Sequence, residues 1–329
     1  MSKRKVLQIG VPRSGNLWVH RIIARALEFA EPHNERFVRQ FRRFIEANPI
    51  RDLAQLYEHD VIVYSDDECF FKPDRFSRIR IDDFDAFLAK SDHVWTHSAF
   101  TDLSYELLPK FDKVVYIIRD PRDVIVSLSR FLYTPGARDQ LRPSADSPQE
   151  YLNNVLANRL LGWVSHVGGY LGLAEEFNIH VVFYERLNAD LGTEMDSLLD
   201  FLELRLDHAQ VEAIKHEVSF ASMKHEKPHH LRQGRAGTWD DLLTVEQRRQ
   251  GERIAGPMLS LLGYPVTADE LGQRLPSMTP GLTEAQFRHA VDEAQAAFRA
   301  RSLGGQFGLN SFLKLTFRQI RNYLAGPGL

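Results

Sequence analysis

The residues best suited to chemistry lie in a short loop near the N-terminus, Gly10-Val11-Pro12-Arg13-Ser14-Gly15-Asn16-Leu17-Trp18. The loop follows an apolar run and precedes a helical pattern, so its backbone N–H groups are expected to form an anion-binding concavity at a helix N-terminus. Its glycines have Walker A spacing. Asn16 and Leu17, however, replace the Lys and the Mg²⁺-binding Ser or Thr, and the cation is Arg13. The loop therefore suits a phosphate without Mg²⁺-nucleotide hydrolysis, although a tight turn that only caps the helix would also explain it.

A second basic motif, Arg119 to Asp123, follows the most apolar strand candidate at 113–118. Pro121 suits the first turn of a helix, which places Arg119 at the carboxyl end of a central strand, where open α/β sheets bind ligands. Ser127, about two helical turns further on, has its hydroxyl available to the same anion. In isolation a solvated charge cluster would explain these residues as well. Together, the two loops suit a ligand with a phosphate at both ends of a ribose.

With both motifs in view, the sequence resembles the sulfotransferases that use 3′-phosphoadenosine 5′-phosphosulfate (PAPS). Residues 11–18 are similar to that family's P-[KR]-S-G-x-x-W loop for the 5′-phosphosulfate, and residues 115–131 to its segment for the 3′-phosphate. Residues 232–239 resemble its R-K-G-x-x-G-x-W loop, and residues 184–187 its Y-E-D-[LM] motif. The resemblance covers about residues 5–265. It implies PAPS as the sulfuryl donor, 3′-phosphoadenosine 5′-phosphate (PAP) as the product, and no metal.

The resemblance also implies roles for individual residues. His97, at the end of the strand candidate 93–96, matches the family's K-T-H motif and would act as general base, for which a neutral imidazole is suited. Arg13 would stabilise the leaving phosphate, while Ser127 would bind the 3′-phosphate and restrain Arg13. The other cofactor-binding residues implied are Ser14, Gly15, Asn16, Leu17, Trp18, Arg119, Tyr184, Phe220, Arg232, Gln233 and Gly234.

Three positions depart from the family pattern, whereas the aromatic positions are kept. Val218 stands where the family usually has a Thr before its Ser-Phe pair. Trp18 and Phe220 match the family's residues that stack on adenine. Trp95 stands where the family often has a Lys that helps at the sulfuryl oxygens, and Gln233 replaces a basic residue. Arg235 and Lys224 are candidates to substitute for the missing cofactor contacts.

Short apolar runs that alternate with longer helical patterns predict an α/β fold of the P-loop NTPase type, with a central parallel β-sheet flanked by helices. We predict strands at 5–9, 61–64, 93–96, 113–118 and 179–184. We predict helices at about 16–30, 35–47, 102–110, 121–132, 148–176, 189–202, 242–262 and 283–301. Prolines and glycines interrupt the pattern after 265, which predicts a sulfotransferase domain over 1–265 and a linker with a C-terminal helical appendage over 266–329.

Composition limits the partners. The chain has 329 residues, 43% of them hydrophobic, and can bury a full core. Its 41 basic and 44 acidic residues give a net charge of −3, so nothing points to nucleic acid as a partner. The single cysteine, Cys69, suits a reducing compartment, and no apolar stretch is long enough for a bilayer span. We therefore expect a cytoplasmic enzyme.

The sequence leaves the acceptor and the assembly open. A small-molecule or glycan hydroxyl, a lipid-linked alcohol and an amine all fit. The basic, apolar pattern of 310–324 predicts either a docked helix or peripheral contact with an anionic membrane. Asp240 and Arg249 flank Thr244-Val245 with charges reversed from the family's dimer motif, so a monomer and a homodimer both fit.

Two alternative functions remain at this point. A nucleotide kinase or other phosphoryl transferase would share the sheet and the first loop, but would need Mg²⁺. A non-catalytic module that binds a bisphosphate nucleotide would share all the anion-binding residues. The histidine-rich run at 225–230 lacks the spacing of a zinc site, so we expect no metal.

Overall fold

The computed structural model describes residues 4–30, 35–47, 56–141, 143, 145–219, 221–223 and 235–303. The strands in this part of the chain are β1 (Val6–Gly10), β2 (Asp60–Tyr64), β3 (Cys69–Phe71), β4 (Ile79–Arg80), β5 (His93–Thr96), β6 (Lys113–Ile118) and β7 (Ile179–Phe183). They form one sheet in the order β4-β3-β2-β5-β1-β6-β7.

Helices cover both faces of the sheet. They are α1 (Asn16–Ala30), α2 (Phe37–Ala47), α3 (Phe84–Leu88), α4 (Asp102–Leu107), α5 (Pro121–Leu132), α6 (Pro135–Leu141), α7 (Pro148–Leu171), α8 (Tyr184–Ala189), α9 (Leu191–Phe201), α10 (His208–Glu217), α11 (Trp239–Leu242), α12 (Val245–Leu261) and α13 (Glu284–Leu303). Within the described ranges, none of these helices is long and apolar enough to cross a membrane.

The five predicted strands, β2, β5, β1, β6 and β7, are all present and parallel, which confirms the predicted fold class. The sequence pattern does not predict β3 and β4, which make the sheet mixed by adding an antiparallel edge beside β2. Strands of three and two residues carry too little alternation to be recognised. The sequence pattern also fails to predict α6, because Pro135 suits a turn as well as the first position of a helix.

Side chains of the central strands alternate between two apolar layers. In β1, Val6 belongs to the layer with α1, α9 and α10, whereas Leu7 and Ile9 belong to the layer with α7, α12 and α13. Burial on both faces explains why these strands are continuous apolar runs. Phe287 and Ala294 of α13 are buried in the second layer, beside α7 and α12. This helix is thus packed on the core, while the domain boundary at 265 stays a prediction.

The sheet brings four loops to one edge. Its parallel register pairs Ile9 with Thr96 and Ile118 with Phe183, so the carboxyl ends of β1, β5, β6 and β7 lie side by side. Ligands of open α/β sheets bind at this edge. The residues that follow these four strands are Val11, His97, Arg119 and Tyr184.

Two buried imidazoles, His93 and His166, are expected to make stability depend on pH. His93 stacks on His20 with ring centroids 4.7 Å apart, and burial lowers the pKa of His93 to about 3. Burial also lowers the pKa of His166 to about 3. The folded state keeps these rings neutral, whereas the unfolded chain protonates them below about pH 6.5. Their stabilising contribution is therefore complete above about pH 6.5 and is lost as the pH falls towards 3.

We expect the free energy of unfolding to fall as the pH is lowered from about 7 to 4.5, because the buried imidazoles must then be protonated on unfolding. Replacement of His93 by Phe removes one titrating group and should flatten this slope in urea titrations. The matched control is His289→Gln, because His289 is 73% exposed. An equally steep slope in His93→Phe would show that the buried ring does not couple folding to pH.

Candidate functional site

The loop after β1 has a backbone shaped for an anion. Arg13 has a φ of +76° and Gly15 a φ of +97°, and this alternation turns successive N–H groups towards one concavity at the start of α1. A Cβ at Gly15 would lie 2.7 Å from the Tyr184 ring, so any other residue would force that ring to shift and would adopt a strained positive φ. The Ser14 hydroxyl is buried and has no hydrogen-bond partner among the described residues. A buried hydroxyl of this kind fits a ligand oxygen.

Asn16, which stands where a Walker A loop has its Lys, closes the loop on itself. The Asn16 Nδ2 donates to the Val11 carbonyl at 2.8 Å. The main-chain carbonyl of Asn16 accepts from Gln8 Nε2, also at 2.8 Å. Its Oδ1 is buried without a partner among the described residues. The departure from Walker A therefore replaces a mobile cation with a fixed amide. Leu17, next in the chain, packs its side chain against the α1 layer.

Arg13 reaches across the site to α5. Its Nε donates to Ser127 Oγ at 3.3 Å, and its guanidinium carbon lies 4.7 Å from the centroid of the Phe131 ring. Arg13 and Ser127 are thus in contact, while the restraint of Arg13 by Ser127 stays a prediction. Both groups remain suited to an anion, because a serine hydroxyl and a guanidinium can each donate to one.

Arg119 joins the loops after β1, β6 and β7. Its guanidinium lies 4.2 Å from the centroid of the Tyr184 ring. Its Nη1 donates to the Arg13 carbonyl at 3.4 Å, and its Nη2 donates to the Arg235 carbonyl at 3.2 Å. Trp18 meets Tyr184 edge to face, with the ring centroids 5.9 Å apart. One cation and two aromatic rings therefore stand together where the sequence predicts the nucleotide.

Asp123 anchors the segment that follows Gly234, a role that the sequence reading did not assign. Its carboxylate accepts from Gly237 N at 2.7 Å, from Thr238 Oγ1 at 2.8 Å and from Trp239 N at 3.0 Å. Burial raises the pKa of Asp123, and the Arg119 charge acts in the opposite direction. The sequence carries only a weak signal for this role, an acid four residues after Arg119.

His97 is held directly beside the phosphate loop. Its Nδ1 forms a short hydrogen bond with the Gly10 carbonyl. Because a carbonyl can only accept, Nδ1 carries the proton, and Nε2 is left as the unprotonated nitrogen of the neutral ring. The Trp95 ring stands edge to face against the imidazole, with the centroids 5.1 Å apart. This tautomer is the one that a base acting through Nε2 needs.

The electrostatic surroundings keep His97 neutral. Burial lowers the pKa of His97 to about 4, while the hydrogen bond to Gly10 raises it and the nearby Lys72 charge lowers it further. An imidazole in this state can accept a proton at neutral pH but binds it weakly. An anion bound nearby would raise the pKa of His97 and make the ring a stronger base.

A buried network of tyrosines supports the backbone just after His97. Tyr170 Oη donates to the Ser98 carbonyl at 3.0 Å and is 2.5 Å from Tyr64 Oη. The Ser98 hydroxyl in turn accepts from Tyr64 N at 2.8 Å. These contacts fix the strand end that carries the imidazole.

The structure brings together nine of the predicted site residues: Arg13, Ser14, Gly15, Asn16, Trp18, His97, Arg119, Ser127 and Tyr184. Leu17, the second residue of α1, directly follows Asn16, and its predicted contact with the cofactor stays a prediction. Phe220, Arg232, Gln233 and Gly234 lie outside the described residues, as does the histidine-rich run at 225–230. In the described part of the chain, no group of three or more His, Cys, Asp or Glu side chains is arranged to hold a metal ion.

Comparison with known proteins identifies the family. The family model for the sulfotransferase domain matches residues 3–263. The chain belongs to the sulfotransferase family. Among curated sulfotransferases, the amine sulfotransferase of Oryctolagus cuniculus is 28% identical over 177 residues, which cover 46% of this chain and 58% of that protein. Sulfotransferase 2B1 of Rattus norvegicus is 24% identical over 261 residues, which cover 74% of this chain and 67% of that protein.

Solved structures are also similar to this chain, at a lower level of sequence identity. The crystal structure of mouse sulfotransferase SULT7A1 complexed with PAP is 17% identical, with a TM-score of 0.48, and the match covers 76% of this chain and 82% of that chain. Retinol dehydratase in a complex with retinol and PAP is 18% identical, with a TM-score of 0.49 and coverage of 79% and 82%. The chain spans about three fifths of the rabbit relative that it matches, with 58% covered.

Proposed function

We propose that this sulfotransferase-family protein transfers a sulfuryl group from PAPS to the hydroxyl of an acceptor, with His97 as the general base. The observation that carries the proposal is the hydrogen bond from His97 Nδ1 to the Gly10 carbonyl, which leaves Nε2 unprotonated next to an anion-binding loop. Membership of the sulfotransferase family supports the same reaction.

The residues that would hold PAPS are those already gathered at the sheet edge. The N–H groups at 14–17 and the Ser14 hydroxyl suit the 5′-phosphosulfate, whereas Arg119 and Ser127 suit the 3′-phosphate. Trp18, together with Phe220, suits the adenine ring, and Tyr184 its edge. Arg232, Gln233 and Gly234 are proposed as further contacts to the 3′-phosphate. The buried Ser14 hydroxyl supports this fit, because it lacks a partner among the described residues and can donate to a phosphate or sulfate oxygen.

In the proposed transfer the protein has two tasks: it takes up the proton of the acceptor hydroxyl, and it stabilises the negative charge on the leaving phosphate. PAPS supplies the sulfuryl group: the acceptor oxygen forms a bond to sulfur as the bond to the 5′-phosphate oxygen breaks. His97 Nε2 takes the proton from the acceptor hydroxyl, and the Gly10 carbonyl stabilises the resulting imidazolium through Nδ1. Arg13 stabilises the negative charge that develops on the departing phosphate. No metal is required for either role.

A screen of sugar, phenol and lipid alcohols with labelled PAPS, without added metal, tests the proposal. We expect label in at least one acceptor and no effect of a chelator. A phosphoryl transferase would instead move label from the γ-phosphate of ATP and require Mg²⁺. Transfer from Mg²⁺-ATP without transfer from PAPS would overturn the proposal.

Replacement of Arg119 by Ala should weaken PAP binding by about 10- to 100-fold, because a charge-assisted hydrogen bond to phosphate is lost. The affinity of Arg119→Lys for PAP should lie between the affinities of wild type and Arg119→Ala, since Lys keeps the charge but not the planar fork. Isothermal titration with PAP measures both. Arg205→Ala is the control, because Arg205 is 85% exposed and pairs only with Asp200 among the described contacts. Equal affinities in Arg119→Ala and the control would remove Arg119 from the cofactor site.

The remaining expectations stay proposals. The acceptor is a hydroxyl of a small molecule, a glycan or a lipid-linked alcohol. The protein acts in the cytoplasm as a monomer or homodimer. Asp240, one residue of the proposed dimer contact, accepts a hydrogen bond from Arg248 of the same chain. The segment 310–324, proposed for peripheral membrane contact, lies outside the described residues.

A further inference from the structure

Two junctions of the proposed PAPS site are joined twice, by neighbouring residues in each of them. The junction of β6 and α5 carries Arg119 and Asp120, and the junction of β7 and α8 carries Tyr184 and Glu185. The Arg119 guanidinium carbon lies 4.2 Å from the centroid of the Tyr184 ring. Directly beside this contact, Asp120 N donates to Glu185 Oε1 at 3.0 Å. The position of Arg119 is therefore tied to Glu185 through the next residue of the main chain.

Glu185 is a buried carboxylate held at both of its oxygens. It is 8% exposed, and its second oxygen, Oε2, accepts from Tyr264 Oη at 2.7 Å. Burial raises the pKa of Glu185 to about 7, while the hydrogen bonds from Asp120 N and Tyr264 lower it. Burial also raises the pKa of Tyr264, so its hydroxyl keeps the proton that it donates. A buried carboxylate costs stability compared with an apolar side chain, so packing alone does not explain a glutamate at this position.

The segment that follows α12 holds both junctions in place. Tyr264 is buried, and the centroid of its ring lies 5.8 Å from that of Phe183, the last residue of β7. The next two carbonyls, those of Pro265 and Val266, accept from the Arg122 guanidinium in the first turn of α5. This segment thus contacts the end of β7 and the start of α5 at the same time.

The Arg119 side chain itself has only long contacts with the protein. Its Nη1 and Nη2 donate to main-chain carbonyls of two other loops at 3.4 and 3.2 Å, and its ion pair with Asp123 spans 3.8 Å. Hydrogen bonds of this length are weak. The Nε of Arg119 is buried without a hydrogen-bond partner among the described residues, which fits a ligand oxygen. The direction of the guanidinium therefore depends on the main chain at 119–120, which Glu185 holds.

We propose that Glu185 is a positioning residue of the PAPS site: it holds the main chain at Asp120 so that the Arg119 guanidinium meets the 3′-phosphate, and Tyr264 holds Glu185 in turn. This inference rests on the proposed sulfuryl transfer, because it presupposes that Arg119 binds PAPS. Glu185 and Tyr264 act through Arg119 and make no contact with the nucleotide in this role. Loss of the Glu185 carboxylate should therefore weaken the binding only of nucleotides that carry a 3′-phosphate.

Calorimetric titration of the full chain with PAP and with AMP tests this role at pH 8, where Glu185 is mostly ionised. We expect Glu185→Ala to weaken PAP binding about tenfold and to leave AMP binding within about twofold of wild type, because AMP has no 3′-phosphate for Arg119 to contact. Glu185→Gln should keep the affinity for PAP within about threefold of wild type, since its amide can accept from Asp120 N and donate to Tyr264 Oη.

A double-mutant cycle separates positioning from a general loss of structure. In the Arg119→Ala background, the further change Glu185→Ala should weaken PAP binding by less than about twofold, because no guanidinium is left to position. Tyr264→Phe removes one donor to Glu185 but keeps the ring, so it should weaken PAP binding about threefold and leave AMP binding unchanged. This variant decides the inference if Glu185→Ala does not fold. Glu176→Ala, at an exposed glutamate before β7, is the control.

Three results would overturn the inference while the proposed function stands. The first is equal weakening of PAP and AMP binding in Glu185→Ala, and the second is a tenfold loss of PAP affinity that persists in the Arg119→Ala background, because both would show a purely structural role. The third is wild-type affinity for PAP in Glu185→Ala or in Tyr264→Phe. If wild type itself fails to bind PAP, the proposed function fails and the inference fails with it.

Discussion

His97→Asn should lower the turnover of labelled PAPS by about 10²- to 10⁴-fold, the usual contribution of a general base. The asparagine amide can donate to the Gly10 carbonyl much as His97 Nδ1 does, so the substitution spares the contact that positions residue 97. It removes only the unprotonated Nε2. The expected loss therefore reports proton abstraction from the acceptor rather than a rearranged loop.

Two further measurements make this result specific. Affinity for PAP in His97→Asn should stay within about threefold of wild type, because the donor contacts are unchanged. His208→Asn, at an exposed histidine at the start of α10, should leave turnover unchanged. Wild-type turnover in His97→Asn would remove His97 as the base, and an equal loss of PAP affinity would show a structural role instead.

Arg122→Ala should lower the free energy of unfolding by about 3–5 kcal/mol, because it leaves a buried carboxylate without its cation. Arg122 is fully buried, and its Nε and Nη2 donate to the Asp120 carboxylate at 3.0 and 2.7 Å. Its Nη1 donates to the Val266 carbonyl at 2.7 Å, and its guanidinium carbon lies 3.7 Å from the centroid of the Trp239 ring. One side chain thus joins the start of α5 to α11 and to the end of the predicted main domain.

Urea unfolding at neutral pH measures the effect. Arg122→Lys keeps the charge but loses the fork, so its loss should be smaller than that of Arg122→Ala. The exposed Arg205→Ala should change the free energy of unfolding by less than about 1 kcal/mol, as is usual for surface ion pairs. A loss below about 1 kcal/mol in Arg122→Ala would contradict the assigned role of the buried guanidinium.

The sequence predicts the parts of the site that depend on local pattern. A glycine loop between an apolar strand and a helix fixes the position of Arg13, and a strand followed by a proline fixes that of Arg119. Parallel strands then bring these loops to one edge without further information. This is why most of the predicted cofactor contacts lie together in the structure, although their roles remain proposals.

Features that depend on long-range contacts could not be predicted. Lys72 is placed by the short strand β3, which has only three residues and is stabilised by its partner β2 rather than by its own pattern. Asp123 is adjacent to Arg122 in a motif that carries both acidic and basic residues, and nothing local indicates that both charges are buried. Asp123 accepts a hydrogen bond from Gly237 N, which lies 114 residues further along the chain, so no local pattern could indicate this contact.

Titration of the full chain with PAP, AMP and ADP, each with and without Mg²⁺, tests the central claim that two basic loops form one site for a bisphosphate nucleotide. We predict that PAP binds about 100-fold more tightly than AMP, because AMP leaves the 3′-phosphate contacts of Arg119 and Ser127 unmade, and that Mg²⁺ has no effect. ADP binding that is tighter than PAP binding and requires Mg²⁺ would contradict the account.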